Sequence, residues 1–139
     1  MNKIAEPILT IFTPAYNRAH TLPRTYDSLC GQSCKNFIWL IIDDGSTDNT
    51  AELVRDWQNC DNGFEIQYIY KENGGMHTAH NAAYANIRTE LNTCIDSDDI
   101  MADGAVESGM QSEIKAMREL WVSMPISTEE LSAKAFRRI

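Results

Sequence analysis

Asp96-Ser97-Asp98-Asp99 places three carboxylates in four residues. Like charges packed so closely repel, and each requires water or a cation. Carboxylate oxygens are hard donors, and Mg²⁺ sites commonly combine one or two of them with phosphate oxygens and water. The same residues also fit a solvated acidic turn. Asp43-Asp44-Gly45-Ser46-Thr47 reads first as a turn leading into a helix cap. Two successive Asp exceed what a cap needs, so one can serve the turn while the other accepts from a ligand, such as a base N–H. Pro14-Ala15-Tyr16-Asn17-Arg18 offers a ring that can stack on a nucleobase or pack on its own loop. Its guanidinium can reach a phosphate or a neighbouring carboxylate. Asn73-Gly74-Gly75 lets the backbone approach a ligand closely.

Other chemistries lack their residues. Neither a Walker A loop nor a GxGxxG occurs, which argues against a P-loop NTPase or a dinucleotide dehydrogenase. No GxSxG elbow supports nucleophilic hydrolysis. His77 and His80 would share a helix face. As a zinc pair they lack partners at suitable spacing, and they read as ordinary polar residues at a helix start. Cys30, Cys34, Cys60 and Cys94 fit neither a paired CxxC zinc site nor a secreted disulfide framework. They are expected to be small buried or half-buried thiols.

The elements that must position these clusters alternate. Ile8 to Thr13 reads as a buried strand stopped by Pro14. Thr21 to Leu29 reads as a helix, with Thr21 as N-cap and Gly31 as stop. Phe37 to Ile42 is a strand without polar alternation, so both its faces should be covered, as in a parallel sheet. A helix capped by Ser46 or Thr47 runs through Trp57. Phe64 to Tyr70 is a third strand, His77 to Ile87 a helix and Leu91 to Ile95 a fourth strand. From Asp103 the pattern is helical, broken at Pro125, with a capping box at Ser127 to Glu130. The order predicts a three-layer α/β/α sandwich around a mainly parallel sheet. In such sheets ligands bind beyond the carboxyl ends of the strands, where three of the polar clusters fall.

At 139 residues the chain has the length of one domain. Its 43% hydrophobic and 23% charged residues are those of a globular protein. The net charge of -8 argues against nucleic acid as a partner, because that needs a basic face. Residues 1–104 hold 7 Lys+Arg against 15 Asp+Glu, whereas 105–139 hold 5 of each. The excess acid thus lies with the motifs, where a cation could meet it. The longest apolar run, Phe37 to Ile42, falls far short of the roughly 20 residues of a membrane helix. Met1 to Pro7 has no signal-peptide core, so the expected compartment is the cytoplasm.

Taken in order, Thr13-Pro14-Ala15-Tyr16-Asn17-Arg18, Asp43-Asp44-Gly45-Ser46-Thr47-Asp48-Asn49-Thr50, Glu72-Asn73-Gly74-Gly75 and Asp96-Ser97-Asp98-Asp99 resemble the family 2 glycosyltransferases of the GT-A fold. The resemblance covers about residues 7–104. Gly75-Met76-His77-Thr78-Ala79-His80-Asn81 is similar to a bacterial subgroup that often carries Lys where Met76 stands. The resemblance implies a nucleotide-sugar-binding domain over 1–104 and a helical, atypical or truncated tail over 105–139. It implies metal-dependent, inverting transfer from a nucleotide sugar, most often a UDP-sugar, to a sugar or lipid-linked acceptor hydroxyl. Such work serves polysaccharide or cell-envelope synthesis, with peripheral membrane association or a partner chain as options.

The resemblance also assigns residues. Tyr16 would stack on the base, with Pro14, Asn17 and Arg18 in the same block. Asp44 would accept the base N–H. Gly74, Gly75 and the helix from His77 to Asn81 would lie under the ribose and diphosphate. His80 stands where many members have Arg. Asp96-Ser97-Asp98 would be the DxD motif. Asp98 would bind Mn²⁺ or Mg²⁺ directly, Asp96 would contact the ribose or a metal-bound water, and Asp99 would stand behind them. Family members run much longer, and their acceptor site and general base follow the DxD strand. Glu107, Glu113, Glu119, Glu129 and Glu130 lie there in no recognisable base motif, so the catalytic residue is unassigned. The alternatives are a non-catalytic nucleotide-sugar-binding module, a fragment lacking the acceptor half whose exposed sheet edge drives self-association, and a nucleotidyltransferase-like enzyme. Pro14-Ala15-Tyr16 counts against the last, because a Gly-rich loop would normally stand there.

Overall fold

A computed structural model describes residues 6–112. Glu113, Glu119, Glu129, Glu130 and the expected break at Pro125 lie outside the described residues. Seven elements follow in order: β1 (Leu9–Ala15), α1 (Leu22–Cys30), β2 (Phe37–Asp43), α2 (Thr50–Gln58), β3 (Glu65–Tyr70), α3 (Met76–Asn86) and β4 (Leu91–Cys94). A further helix, α4, occupies residues 105–112 of the described part.

The four strands form one parallel sheet in the order β3-β2-β1-β4. Burial patterns follow from that order. β1 is buried along its whole length, and β2 at every residue but one. Both strands are central, and helices cover both of their faces. Leu9, Ile11, Trp39 and Ile41 point into a core shared with Leu22 and Leu29 of α1, Val54 and Trp57 of α2, and Val106 and Met110 of α4. Phe12, Leu40 and Ile42 point the other way, onto Ala79 and Ala83 of α3. The three-layer α/β/α sandwich is therefore present. Steps from β1 to β2 to β3 run in one direction across the sheet, and the step to β4 reverses it. Crossovers of one hand must then put α1 and α2 on one face and α3 on the other.

β1 does not stop at Pro14. It pairs through Pro14 with Ile42 and through Ala15 with Asp43. Proline lacks the donor a ladder needs, yet it costs nothing here. The Phe12 carbonyl accepts from the Ile95 amide on the β4 side, while the Ala15 carbonyl accepts from Asp44 on the β2 side. By alternation Pro14 faces β4, whose pairing has already ended at Phe12 with Cys94.

Leu40 is fully buried in the thinner, α3-covered layer. Leu40→Ala removes its methyls where Ala79 and Ala83 cannot reach in to fill the gap. It should lower stability by about 3 kcal/mol in urea denaturation.

Candidate functional site

The chain leaves β1 toward β2 in one direction and reaches β4, on the other side of β1, in the opposite direction. A crevice opens at such a reversal, beyond the carboxyl ends of the strands. The segments that follow β1, β2, β3 and β4 all lie at that edge.

The β2 and β3 ends are tied by Asp44. Its Oδ1 takes the Lys71 ammonium at 2.6 Å and the Gly74 amide at 3.0 Å, and its Oδ2 takes the Gly75 amide at 3.0 Å. Lys71 also donates to Thr78 Oγ1 at 2.9 Å and to the Glu72 carbonyl at 2.6 Å. Burial alone would raise the Asp44 carboxyl, but Lys71 and the two amides outweigh it and hold the group below its usual value. Gly45 makes the close approach possible. Its φ is +85°, and a Cβ there would stand 2.7 Å from the Asn73 nitrogen. Asp43 serves the turn instead. It accepts from the Ser46 amide at 2.8 Å and from the Tyr68 hydroxyl. Burial and this carboxylate push the Tyr68 phenol up.

A second clamp joins the loops after β1 and β2. Asn17 adopts φ 51°, a left-handed conformation that Asn tolerates. Its Oδ1 accepts from the amides of Thr47 at 2.7 Å and Asp48 at 3.2 Å, and its own amide donates to Ser46 Oγ at 2.9 Å. Asp48 bonds Thr50 through Oδ1 and the Ala19 amide through Oδ2. Thus neither Ser46 nor Thr47 caps α2, as the sequence suggested. Asp48 serves its first turn, because the two hydroxyl residues are committed to Asn17.

The acidic loop after β4 rests on α1. Thr21 Oγ1 donates to the Ser97 carbonyl at 2.9 Å and Thr25 Oγ1 to the Asp99 carbonyl at 2.6 Å. Ser28 Oγ accepts the Met101 amide at 2.9 Å, and Gln32 bonds the Ala102 carbonyl at 2.9 Å and the Val106 amide at 3.2 Å. Thr21 therefore anchors this loop rather than capping its own helix, which has no side-chain cap bond. The loop presents Asp96, Asp98 and Asp99 to solvent with ligand oxygens within 4.8 Å of one another. Among the described residues no cation pairs with them; the ion pair found there is Lys71–Asp44. Hard oxygen donors at this separation fit a divalent cation.

Between these parts lies a cleft of about 260 Å³. Pro14, Tyr16, Arg18, Asp44, Gly75 and Ser97 line it, as do Ala15, Asn73, Met76 and Ala79. Tyr16 is 48% exposed, so its ring is open to a ligand. Several residues singled out in the sequence stand elsewhere. Asn17 faces the β2–α2 loop. Gly74 lies behind Gly75, on Asp44 and near Thr78. His77 and Asn81 are exposed on the first turns of α3, and Asp96 and Asp98 adjoin the cleft's Ser97. Sequence reasoning missed Lys71 and Thr78. The signal for Lys71 was a basic residue directly after β3 in an acid-rich stretch. It also missed the hydroxyl and amide stripe Thr21, Thr25, Ser28 and Gln32, whose helical spacing marks one face. Of the cysteines, Cys30 and Cys34 are half-buried, but Cys60 and Cys94 are exposed, contrary to expectation.

The sequence profile described as glycosyl transferase family 2 matches residues 10–116. The chain belongs to glycosyl transferase family 2. Among curated relatives of this family 2 chain, glycosyltransferase GlyA of Streptococcus pneumoniae is 33% identical over 100 residues, covering 72% of the chain and 14% of that protein. Chondroitin synthase of Pasteurella multocida is 34% identical over 109 residues, covering 78% of the chain and 11% of the relative. The family 2 chain thus spans a small part of these relatives' length. In structure it resembles Staphylococcus aureus TarS 1-349 in complex with UDP, with a TM-score of 0.68 at 23% identity, over 79% of this chain and 32% of that one. It also resembles the mannosyltransferase PcManGT from Pyrobaculum calidifontis in complex with GDP-Man and Mn²⁺, with a TM-score of 0.68 at 22% identity, over 80% and 32%. The shared fold is that of the GT-A glycosyltransferases.

The Asp44 knot has a measurable pH signature. A lowered carboxyl contributes stability above the ordinary Asp value of about 4 and loses it as pH falls through the folded value. Lys71 is only 23% exposed, and its removal leaves a buried charge. Lys71→Met should cost about 2 kcal/mol at neutral pH in denaturant titration. The difference from the parent should shrink as pH falls through the ordinary Asp value of about 4, and vanish only below the parent's lowered value, where Asp44 is protonated in both.

Proposed function

We propose that this chain binds a nucleoside-diphosphate sugar, most often a UDP-sugar, at the cleft, and supplies the donor half of an inverting sugar transfer. The supporting observation is the adjacency of two unlike features on one sheet edge. A cleft with an open aromatic ring and an anchored carboxylate lies beside three carboxylates that have no counter-ion among the described residues. TarS and PcManGT, of the same fold, are described in complex with UDP or UDP-GlcNAc and with GDP-Man and Mn²⁺.

The residues divide the work by chemistry. Tyr16 stacks on the base. Asp44 has about four acceptor positions and three donors already in place, which leaves room for one ring N–H of uracil. Because Lys71 keeps it ionised, it accepts and does not donate. Arg18 at the cleft reaches toward phosphate, with Pro14 shaping the wall beside it. Gly75 keeps a side chain out of the path of the ribose, Gly74 behind it lets the loop pass close to Thr78 and Lys71, and His77 and Asn81 contact the ribose and diphosphate. Asn17 acts by fixing both loops. Asp98 holds Mn²⁺ or Mg²⁺ directly, with Asp96 at the ribose or at a metal-bound water and Ser97 between them. The cation would neutralise the charge that develops on the diphosphate as the glycosidic bond breaks. No described residue is assigned as the general base for the sugar or lipid-linked acceptor.

A second reading is a binding module whose acceptor half lies in other residues. The small share of its relatives that the chain spans favours it. Calorimetric titration of UDP, with and without Mn²⁺, tests the shared part. Binding should need the ion, and Asp98→Ala should weaken it at least about tenfold. Tyr16→Ala should also cost about tenfold, the loss of one stacked base. Metal-independent binding that both variants leave unchanged would overturn the reading. UDP released from a UDP-sugar by the chain would favour the enzyme, and binding without release the module.

A further inference from the structure

The Lys71 ammonium has no donor to spare. Such a group carries three N–H bonds. All three are taken, by Asp44 Oδ1 at 2.6 Å, Thr78 Oγ1 at 2.9 Å and the Glu72 carbonyl at 2.6 Å. Lys71 therefore stands at the ligand edge of the sheet without being free to bind a ligand. Thr78 Oγ1 in turn donates to the Gly75 carbonyl at 2.7 Å, and the Gly75 amide returns to Asp44 Oδ2 at 3.0 Å. Asp44, Lys71, Thr78 and Gly75 thus form a closed ring. Gly74 leaves room for it, because a Cβ there would stand 2.8 Å from Thr78 Oγ1 and 3.2 Å from Lys71 Nζ.

The ring makes the two oxygens of Asp44 unequal. A carboxylate oxygen has about two acceptor positions. On Oδ1, Lys71 and Gly74 fill both. On Oδ2, Gly75 fills one and leaves one open. Asp44 lines the cleft, so a ligand there meets that single position. Bases differ in what they bring to it. The imide edge of uracil or thymine carries one N–H between two carbonyls. Guanine carries two adjacent donors, N1–H and N2–H, which suit a carboxylate with both oxygens free. At Asp44 one of the two would lose its water and gain no acceptor, and an unsatisfied donor costs its full desolvation. A carbonyl beside a single N–H would instead lie toward the positive charge of Lys71.

We propose that Lys71 is a positioning residue that selects the base: by filling Oδ1 it makes Asp44 an acceptor for one donor, fitted to the imide edge of a uracil-type base and not to the paired donors of guanine. The inference rests on the nucleotide reading of the cleft. Other charged or titratable groups stand around Asp44 and stay in place when Lys71 is changed. Asp43 is held by Ser46 and Tyr68, and Tyr70 pairs with it at the end of β3. Tyr16 and Arg18 line the cleft, Asp96 and Asp98 adjoin its Ser97, and Glu72 and His77 flank the glycines.

Titration of UDP and of GDP into the full chain with Mn²⁺ tests the proposal. At neutral pH, UDP should bind the parent at least about tenfold more tightly than GDP. Lys71→Met, with folding checked by circular dichroism, frees a position on Oδ1, and the preference should fall to within about threefold. The pH profile gives a second reading. Burial pushes the Asp44 carboxyl up, and Lys71 with the two amides outweighs it. UDP affinity in the parent should therefore hold until pH passes below the ordinary Asp value of about 4, and in Lys71→Met it should begin to fall at a higher pH. A merely structural lysine would weaken UDP and GDP alike at every pH. Should Lys71→Met not fold, Lys71→Gln, which keeps a donor but no charge, should show the same early fall. Equal affinity of the parent for UDP and GDP, an unchanged preference in folded Lys71→Met, or a profile in Lys71→Gln parallel to the parent's would each overturn the proposal. Absence of UDP binding would overturn the functional reading, whereas UDP binding without base preference would overturn this inference alone.

Discussion

Asp44 carries a charge that water hardly reaches, and three donors hold it there: the Lys71 ammonium and the amides of Gly74 and Gly75. Much of the edge depends on this one knot. It fixes the segment after β3 against the end of β2, and it sets where α3 begins. A buried carboxylate without those donors would be costly to keep ionised. With them it is an accepting group held below its usual pKa at the wall of the cleft. The glycines follow from the same constraint, since a side chain at Gly45 would collide with Asn73 and push the loop away.

The other loops are fixed with equal economy by short polar side chains. Asn17 closes the gap between the β1 and β2 ends. Thr21, Thr25, Ser28 and Gln32 turn one face of α1 into a support for everything that follows β4. Each fastens main chain of a neighbouring segment. The acidic side chains of that loop are thereby left exposed to solvent, with no cation paired to them among the described residues, at the reversal in strand order. Their oxygens, within 4.8 Å of one another, are hard donors of the kind a divalent cation takes.

The fold was legible because its signals are strong. A run such as Phe37 to Ile42, apolar at every position, admits little besides a strand covered on both faces. The polar clusters after β1, β2 and β4 mark the edge in the sequence itself. What the sequence hid was mostly direction. Pro14 reads as a stop, and only the alternation of β1 shows that its missing donor faces a place where β4 no longer pairs. Ser46 and Thr47 look like caps, yet their partner is Asn17, some thirty residues away. Lys71 carries no motif, and its role exists only once β2 and β3 lie side by side.

Family membership and fold stand on the sequence match and the geometry together. The account's central claim is narrower. It holds that the cleft between Tyr16, Asp44 and Ser97 takes the nucleotide, and that the neighbouring carboxylates take the metal. The most direct test is a crystal structure of the chain grown with UDP and Mn²⁺, with the ion located by its anomalous scattering. The account predicts a uracil ring on Tyr16 with its N–H on Asp44, and a manganese peak about 2 Å from an Asp98 oxygen. A nucleotide seated in the larger hollow of about 710 Å³ at the opposite end of the strands, beside Phe37 and Phe64, would contradict it. So would a manganese ion bound away from the Asp96–Asp99 loop.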